Sequence, residues 1–379
     1  MTDSPRTVIH VISALALGGA ERVMVDLLNG LARRGEAVEA CVTRCDTRLA
    51  SALLPAIPVT VLGRRSTWEP GPLLRFLRRC RRAPRVILHA HGRSSFLFCA
   101  VARAALPKRV RLILHDHHGA PPSPGEARTL RRAARHFLDA YVGVSSDLGS
   151  WARTQFGAPV HVIGNGIDLT RFVDAQPLPR ASLLSNATGL LGVVVGSLRP
   201  AKGQLTQLRA AAQSPKAREA LYLLLVGEDL GDDYSRECHK AADGLGPGRV
   251  AFLGPRADVP SILKSADLGI VPSHVESGPI VLLEYLAAGL PFVATRTGDI
   301  AASVDAEGLG LMVPPGDERA LAVALDRVVS LSPQARRQMV ERGRGFVEQH
   351  FGLSQRLDQL STIYDSLFPA SCLRSASAA

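Results

Sequence analysis

The sequence predicts two successive doubly wound α/β domains. Three observations carry this expectation. Short apolar runs alternate with amphipathic helical stretches along nearly the whole chain. That alternation lapses once, between residues 170 and 189, and then restarts. A chain of 379 residues, 46% hydrophobic and 21% charged, is ordinary in composition but too long for one typical core.

In the first half the apolar runs 8–13, 38–43, 59–62, 86–89, 111–115, 141–144 and 160–163 read as strands. They are continuous rather than alternating, as expected where helices cover both faces of a parallel sheet. Between the first two, residues 21–33 read as a helix with Val23, Leu27, Leu28 and Leu31 on one face. The lapse carries Pro177, Pro179, Ser185 and Asn186 and reads as a linker. After it, 190–195, 221–226, 250–253, 268–271 and 291–294 read as strands. Long helices are expected over 318–330 and from 333 to about 367. The expected division is 1–175, 176–350, a helix over 351–368, and a small, polar, disordered tail over 369–379. No internal repeat is evident.

The formal net charge is +11, and its placement is uneven. Residues 1–175 hold 25 Lys and Arg against 13 Asp and Glu; the remainder holds 20 against 21. A basic half suits an anionic partner. Arg75, Arg78, Arg79 and Arg82 share one helical spacing, and Arg128, Arg131, Arg132 and Arg135 repeat it. An anionic membrane surface is the expected partner of these faces, against the plainer reading of solvated arginines. Nucleic acid is not expected, because aromatics are 5% and no binding motif is present. Cys41, Cys45, Cys80, Cys99, Cys238 and Cys372 show no zinc spacing and read as reduced thiols. No signal peptide and no run of ~20 apolar residues is apparent. The expectation is a cytoplasmic protein, peripheral at the inner face of the cell membrane, of unknown oligomeric state.

Ligands of open α/β sheets bind beyond the C-terminal strand ends. That rule selects the loops 17–21, 116–119, 164–168, 196–203, 227–231 and 273–278. The last runs Ser273, His274, Val275, Glu276, Ser277, Gly278, Pro279, Ile280, with Glu284 eight residues after Glu276. Pro279 and Ile280 would open a helix, placing Glu276 near an N-terminus that attracts phosphate. Glu284 sits among Leu282, Leu283, Leu286 and Ala287, and an acid on so apolar a helix needs a reason. In the loop 196–203, Arg199 and Lys202 precede Gly203 and a helix start, which suits a diphosphate. An ordinary basic loop is the alternative. Gly18 and Gly19 follow the first strand and allow close backbone approach to a ligand, or form a plain turn. His115, Asp116, His117 and His118 follow another strand. Only His115 and His117 share a face, so one functional histidine is preferred to a metal site. His89 and His91 form a similar pair, read as structural.

Together these residues resemble family 4 glycosyltransferases, retaining enzymes of the GT-B fold. The resemblance runs through Gly18 and Gly19 in "GGAER"; Asn165, Gly166, Ile167 and Asp168, then Arg171 and Phe172; Lys202 and Gly203; Val226, Gly227 and Glu228; and the Glu276–Glu284 spacing. It implies two Rossmann-like domains facing across a cleft, with a last helix crossing back to the first. It implies a nucleotide-diphosphate sugar, a UDP- or GDP-sugar, as donor, and no required metal or cofactor. Glu284 would bind ribose hydroxyls. Arg199 and Lys202 would neutralise the diphosphate, and Glu276, Ser277, Gly278, Pro279 and Ile280 would meet the donor. Gly18 and Gly19 would approach the phosphate. His117 would lie near the anomeric carbon, with His115 its rival. Asn165, Gly227, Glu228 and Arg256 are further candidates. The chain departs from the family at Ser197, where an arginine often stands, and in the order of Ser277 and Gly278.

The resulting expectation is a retaining hexosyltransferase. Its acceptor would be a glycan, glycolipid or lipid-linked sugar of envelope or exopolysaccharide synthesis. The alternatives are a transferase acting on a soluble acceptor and a GT-B protein that binds without transfer.

Overall fold

The computed structural model describes residues 6–66 and 69–368. Contacts divide the chain into two compact units. The first holds the residues up to Asn165 together with those from Leu353 on; the second is Gly166–Gly352. The tail expected to be disordered, 369–379, lies outside the described residues, as does Cys372. Among the described residues, no helix is long and apolar enough to cross a membrane.

The first unit contains seven strands: β1 (Arg6–Ile12), β2 (Val38–Val42), β3 (Val59–Val61), β4 (Arg85–His91), β5 (Val110–Asp116), β6 (Ala140–Gly143) and β7 (Val160–Val162). They form one parallel sheet in the order β3-β2-β1-β4-β5-β6-β7. The second contains β8 (Leu190–Val195), β9 (Leu221–Val226), β10 (Val250–Gly254), β11 (Leu268–Val271), β12 (Phe292–Thr295) and β13 (Leu311–Val313), in the order β10-β9-β8-β11-β12-β13. Both orders reverse direction once, between β1 and β4 and between β8 and β11. Such a switch point leaves a crevice at the strand ends, where doubly wound sheets bind ligands. The two Rossmann-like sheets are those expected of the GT-B fold. One strand escaped the sequence reading: β13 is three residues long and follows Gly308 and Gly310.

Side chains alternate across each strand, so each sheet has two faces to bury. In the second unit Leu191, Val193, Leu224 and Val226 join one core, and Val194, Leu221, Leu223 and Leu225 the other. Close approach at Gly269 is required: a Cβ there would lie 2.3 Å from the Tyr285 ring. In the first unit Ile9, Val11, Val86, Leu88, Leu112 and Leu114 face one apolar core. The intervening positions of the same strands carry His10, His89, His91 and His115 on the other face.

The expected helix from 333 to about 367 is two helices. Pro333–Phe351 belongs to the second unit and Leu353–Leu367 to the first, with Gly352 between them. Leu353 and Leu357 pack at Gly30 of the helix Gly19–Arg33, where a Cβ would meet Leu357 at 2.6 Å. Arg34 clamps the far side through Asp358 at 2.7 Å. The segment 166–175, in the second unit, buries Ile167 and Phe172 in its core.

The first arginine face is not a stripe. The helix Pro70–Cys80 ends before Arg82, Arg79 turns inward to Glu39, and Arg75 donates to the Leu62 carbonyl. Burial of Glu39 between strand and helix explains the turn, since a buried carboxylate needs a partner. On the helix Pro124–Phe137, by contrast, Arg128, Arg131, Arg132 and Arg135 are all exposed.

Candidate active site

In the second unit, the loops after β8 and β11 meet at the switch point. Lys202 donates from Nζ to Glu276 Oε1 at 2.6 Å, and Ser273 Oγ donates to the same oxygen at 2.8 Å. The two loops are stitched by backbone: His274 N and Val275 N both donate to the Ala201 carbonyl, at 2.8 and 3.3 Å. Lys202 is half-buried and ends a short 3-10 turn, Pro200–Lys202, that leads into the helix Gln204–Gln213. A cation beside a helix N-terminus is a ready anion site. Arg199, just before this turn, is exposed, and its carbonyl accepts from Lys202 N at 2.9 Å.

Gly203 makes this junction possible. Its φ is 68°, and a Cβ there would lie 2.0 Å from the Pro272 carbonyl oxygen. Both the left-handed backbone and the contact exclude a side chain. Gly203→Ala should therefore destabilise the second unit by more than about 2 kcal/mol, read as a lower urea midpoint. An unchanged midpoint would mean the loops are not packed this way.

Gln204, which the sequence reading passed over, holds the Arg199 loop from beneath. Its buried amide donates to the Gly196 and Ser197 carbonyls at 3.1 and 2.9 Å. Gly227 packs against the same loop, with a Cβ position 2.2 Å from the Gly196 oxygen. The Glu228 carbonyl accepts from Leu198 N at 2.8 Å. Arg256 forms a two-point pair with Asp258 at 2.8 and 2.6 Å, so its charge is locally matched.

Glu284 lies one turn into the helix Ile280–Ala288, with Pro279 at its cap rather than inside its first turn. It is 6% exposed, not a solvated helix residue. Its Oε1 faces Arg171 at 3.4 Å. Arg171 is a functional candidate that reasoning from motifs quoted but did not assign. Ser277 is buried, and its carbonyl accepts from Asp299 N at 3.2 Å and leaves no room for a Cβ at Gly298. Gly278, Pro279 and Ile280 continue this loop into the helix. The structure thus brings Lys202, Glu276, Ser277, Gly278 and Glu284 to one end of one sheet.

In the first unit, Gly18 caps the helix Gly19–Arg33, and the Glu21 carboxylate folds back over it. Burial raises the Glu21 pKa, and Asp46 adds to the rise. Asn165 is half-buried and ends the unit's first segment.

The histidines behave as a group. In register, His10 lies beside His89 and His91 beside His115. Their rings form one hydrogen-bonded file: His117 Nε2 to His91 Nδ1, His91 Nε2 to His10 Nδ1, and His89 Nε2 to His115 Nδ1, each at 2.9 Å. Tyr364 OH joins the two parts, at 2.6 Å from His89 Nδ1 and 3.3 Å from His10 Nε2. Burial pushes the pKa of His10 down to about 3 and of His117 down to about 4. His89, His91 and His115 are held well below the usual range, by burial first and by neighbouring imidazoles second. Of the five, only His117, one residue beyond β5, is half-exposed. His115 is buried, so His117 and not His115 meets solvent.

Asp116 is committed elsewhere. Arg93 Nε donates to it at 2.9 Å, His118 Nδ1 lies at 2.7 Å and Tyr141 OH at 3.2 Å. Burial alone would raise its pKa, but His118 and Arg93 outweigh that and lower it. It reads as a structural anchor.

Two family models match the chain in succession. "Glycosyltransferase Family 4" matches residues 17–171 and "Glycosyl transferases group 1" residues 176–346. The chain belongs to glycosyltransferase family 4. A D-inositol 3-phosphate glycosyltransferase of Saccharomonospora viridis is 34% identical to this family 4 chain over 215 residues, 54% of the chain and 49% of the relative. One of Salinispora tropica is 32% identical over 54% and 45%. The chain thus spans about half the length of the curated relatives it matches. Among solved structures, Anabaena HepE in complex with UDP-glucose has a TM-score of 0.80 at 23% identity, over 95% of this chain and 99% of that one. The glycosyltransferase WaaG, involved in lipopolysaccharide biosynthesis, has a TM-score of 0.68 at 18% identity, over 94% and 99%. At these identities the structural likeness speaks to the GT-B fold.

Proposed function

We propose that this family 4 chain transfers a sugar, with retention, from a nucleotide-diphosphate sugar. The observation that carries the reading is the Lys202–Glu276 pair at the helix start, with Glu284 buried one turn away. A leaving diphosphate develops negative charge, and a cation with helix N-terminal N–H groups stabilises it where it forms. Lys202 would exchange part of its pairing with Glu276 for the phosphate. Arg199, exposed nearby, would add a second cation. Glu276, held through one oxygen by Lys202 and Ser273, would offer the other to a sugar hydroxyl. Glu284, steadied by Arg171, would accept from the ribose hydroxyls. In such a front-face reaction the leaving phosphate oxygen takes the acceptor proton, and His117 would orient the acceptor beside the anomeric carbon. The UDP-glucose complex of HepE favours UDP as the base carrier.

The basic first unit suits an acceptor that carries phosphate. A lipid-linked sugar at an anionic membrane would engage the exposed Arg128, Arg131, Arg132 and Arg135. The second reading, a soluble phosphorylated polyol, is favoured by the acceptor named in the inositol phosphate relatives. The test is transfer from UDP-, GDP- and ADP-sugars to a soluble polyol phosphate and, separately, to lipid-linked acceptor in anionic vesicles. Product with the donor's anomeric configuration is expected with a UDP-sugar. Inverted product, or no transfer to either acceptor class, would overturn the proposal.

A further inference from the structure

The histidine file holds more imidazole than a single acceptor-orienting residue needs. The geometry points to a transition-metal site of the zinc class inside the first unit, held by His89, His91 and His115. One ring nitrogen from each of the three lies within 4.8 Å of the others. The fold places them there for a simple reason. His89 and His91 are alternate residues of β4 and so share a face, and His115 is the register partner of His91 on β5.

The donor set decides the metal class. Three imidazoles with neither a carboxylate nor a thiolate among them suit Zn²⁺, Co²⁺, Ni²⁺ or Cu²⁺ and not Mg²⁺ or Ca²⁺. The neutral ring is the form that coordinates. His89 Nε2 and His115 Nδ1 are 2.9 Å apart across one proton. A tetrahedral ion with bonds of ~2.0 Å needs its nitrogens ~3.3 Å apart, an opening of about 0.4 Å. The metal would take the place of that proton, which would move to the other nitrogen of the same ring, so that both imidazoles stay neutral.

Outer partners are also in place. Tyr364 OH meets His89 Nδ1, and His91 would give up one of its two contacts, to His10 or to His117, to turn that nitrogen to the metal and keep the other as its outer partner. Outer hydrogen bonds of this kind fix ring orientation at metal sites. The file is not closed at this ring: His115 Nε2 is buried and has no hydrogen-bond partner among the described residues. A file of five neutral imidazoles and one phenol leaves either an unmet proton or an unmet lone pair there. The three proposed ligands belong to the first unit, and Lys202, Glu276 and Glu284 to the second.

The test uses the full chain, stripped of metal and free of any affinity tag. It is dialysed against Zn²⁺ and, separately, Co²⁺, at pH 7.5. One equivalent of zinc per chain, a visible spectrum of four-coordinate Co²⁺, and a raised melting temperature are expected. His91→Gln and His115→Gln should each weaken binding at least about 100-fold, whereas His239→Gln, an exposed histidine of the second unit, should not. No stoichiometric binding by the wild type would overturn the inference, as would binding kept by both cluster variants. Should those variants fail to fold, nitrogen couplings from bound Cu²⁺ in the wild type decide: three imidazoles support the site, and fewer contradict it.

Discussion

Metal-free protein should lose several kcal/mol, on the order of 5, of first-unit stability between pH 7 and pH 5.5. The source is the five-histidine file. Each ring titrates near 6.5 in the unfolded chain, but His10 titrates at about 3, His117 at about 4 and the other three well below 6.5 when folded. Between those values the unfolded state binds more protons than the folded one. Stability is therefore full above pH 6.5, falls as the pH drops through 6.5, and keeps falling toward the folded values. Each histidine contributes on the order of 1 kcal/mol over this interval. The sum is comparable to the whole stability of a typical domain. Thermal unfolding followed by near-UV circular dichroism should show the first-unit transition falling by about 15 °C or more. His10→Asn should reduce the slope by about one proton. A transition that is flat from pH 7.5 to 5.5 would mean the rings are not buried together.

The second large effect is expected at Lys202. Lys202→Ala should lower kcat by about 10²–10³-fold, the range found when one stabilising donor to a developing anion is removed. Lys202→Arg should recover part of this, because the charge stays while the point contact to Glu276 at 2.6 Å is altered. The fold should tolerate both changes. Lys202 is half-exposed, and pairs of that exposure contribute at most about 1 kcal/mol to stability. Steady-state kinetics with the urea midpoint measured in parallel separates the two roles. Equal losses of activity and stability would make the lysine a structural residue, and full activity in Lys202→Ala would remove it from the chemistry.

Much of this was legible in the chain because buried parallel strands are continuous apolar runs that end in glycine or polar loops. That is why the loops carrying Lys202 and Glu276 stood out as neighbours of strand ends. Their union at a switch point needed the sheet order, which no local pattern contains. The break at Gly352 was hidden because helical periodicity continues on both sides of it. Arg171 is 113 residues from Glu284, and only the packing of a short segment into the second core brings them together. The histidine file is the clearest case. The alternation of His89 with His91 and of His115 with His117 was visible, and it correctly put each pair on one face. Pairing of β1, β4 and β5 side by side, which adds His10 and turns two pairs into one network, is a property of topology. Tyr364 arrives from a helix 275 residues after His89. Likewise Arg79 looked like part of an exposed stripe until Glu39 was seen beneath it.

On the proposed function, the second unit holds a nucleotide-diphosphate sugar through Lys202, Glu276 and Glu284. Titration calorimetry of UDP-glucose into the wild type, Lys202→Ala, Glu284→Gln and His117→Ala tests it directly. Saturable binding is expected for the wild type and for His117→Ala, weakened at least tenfold in each of the two second-unit variants. Undiminished binding in Lys202→Ala and Glu284→Gln would contradict it.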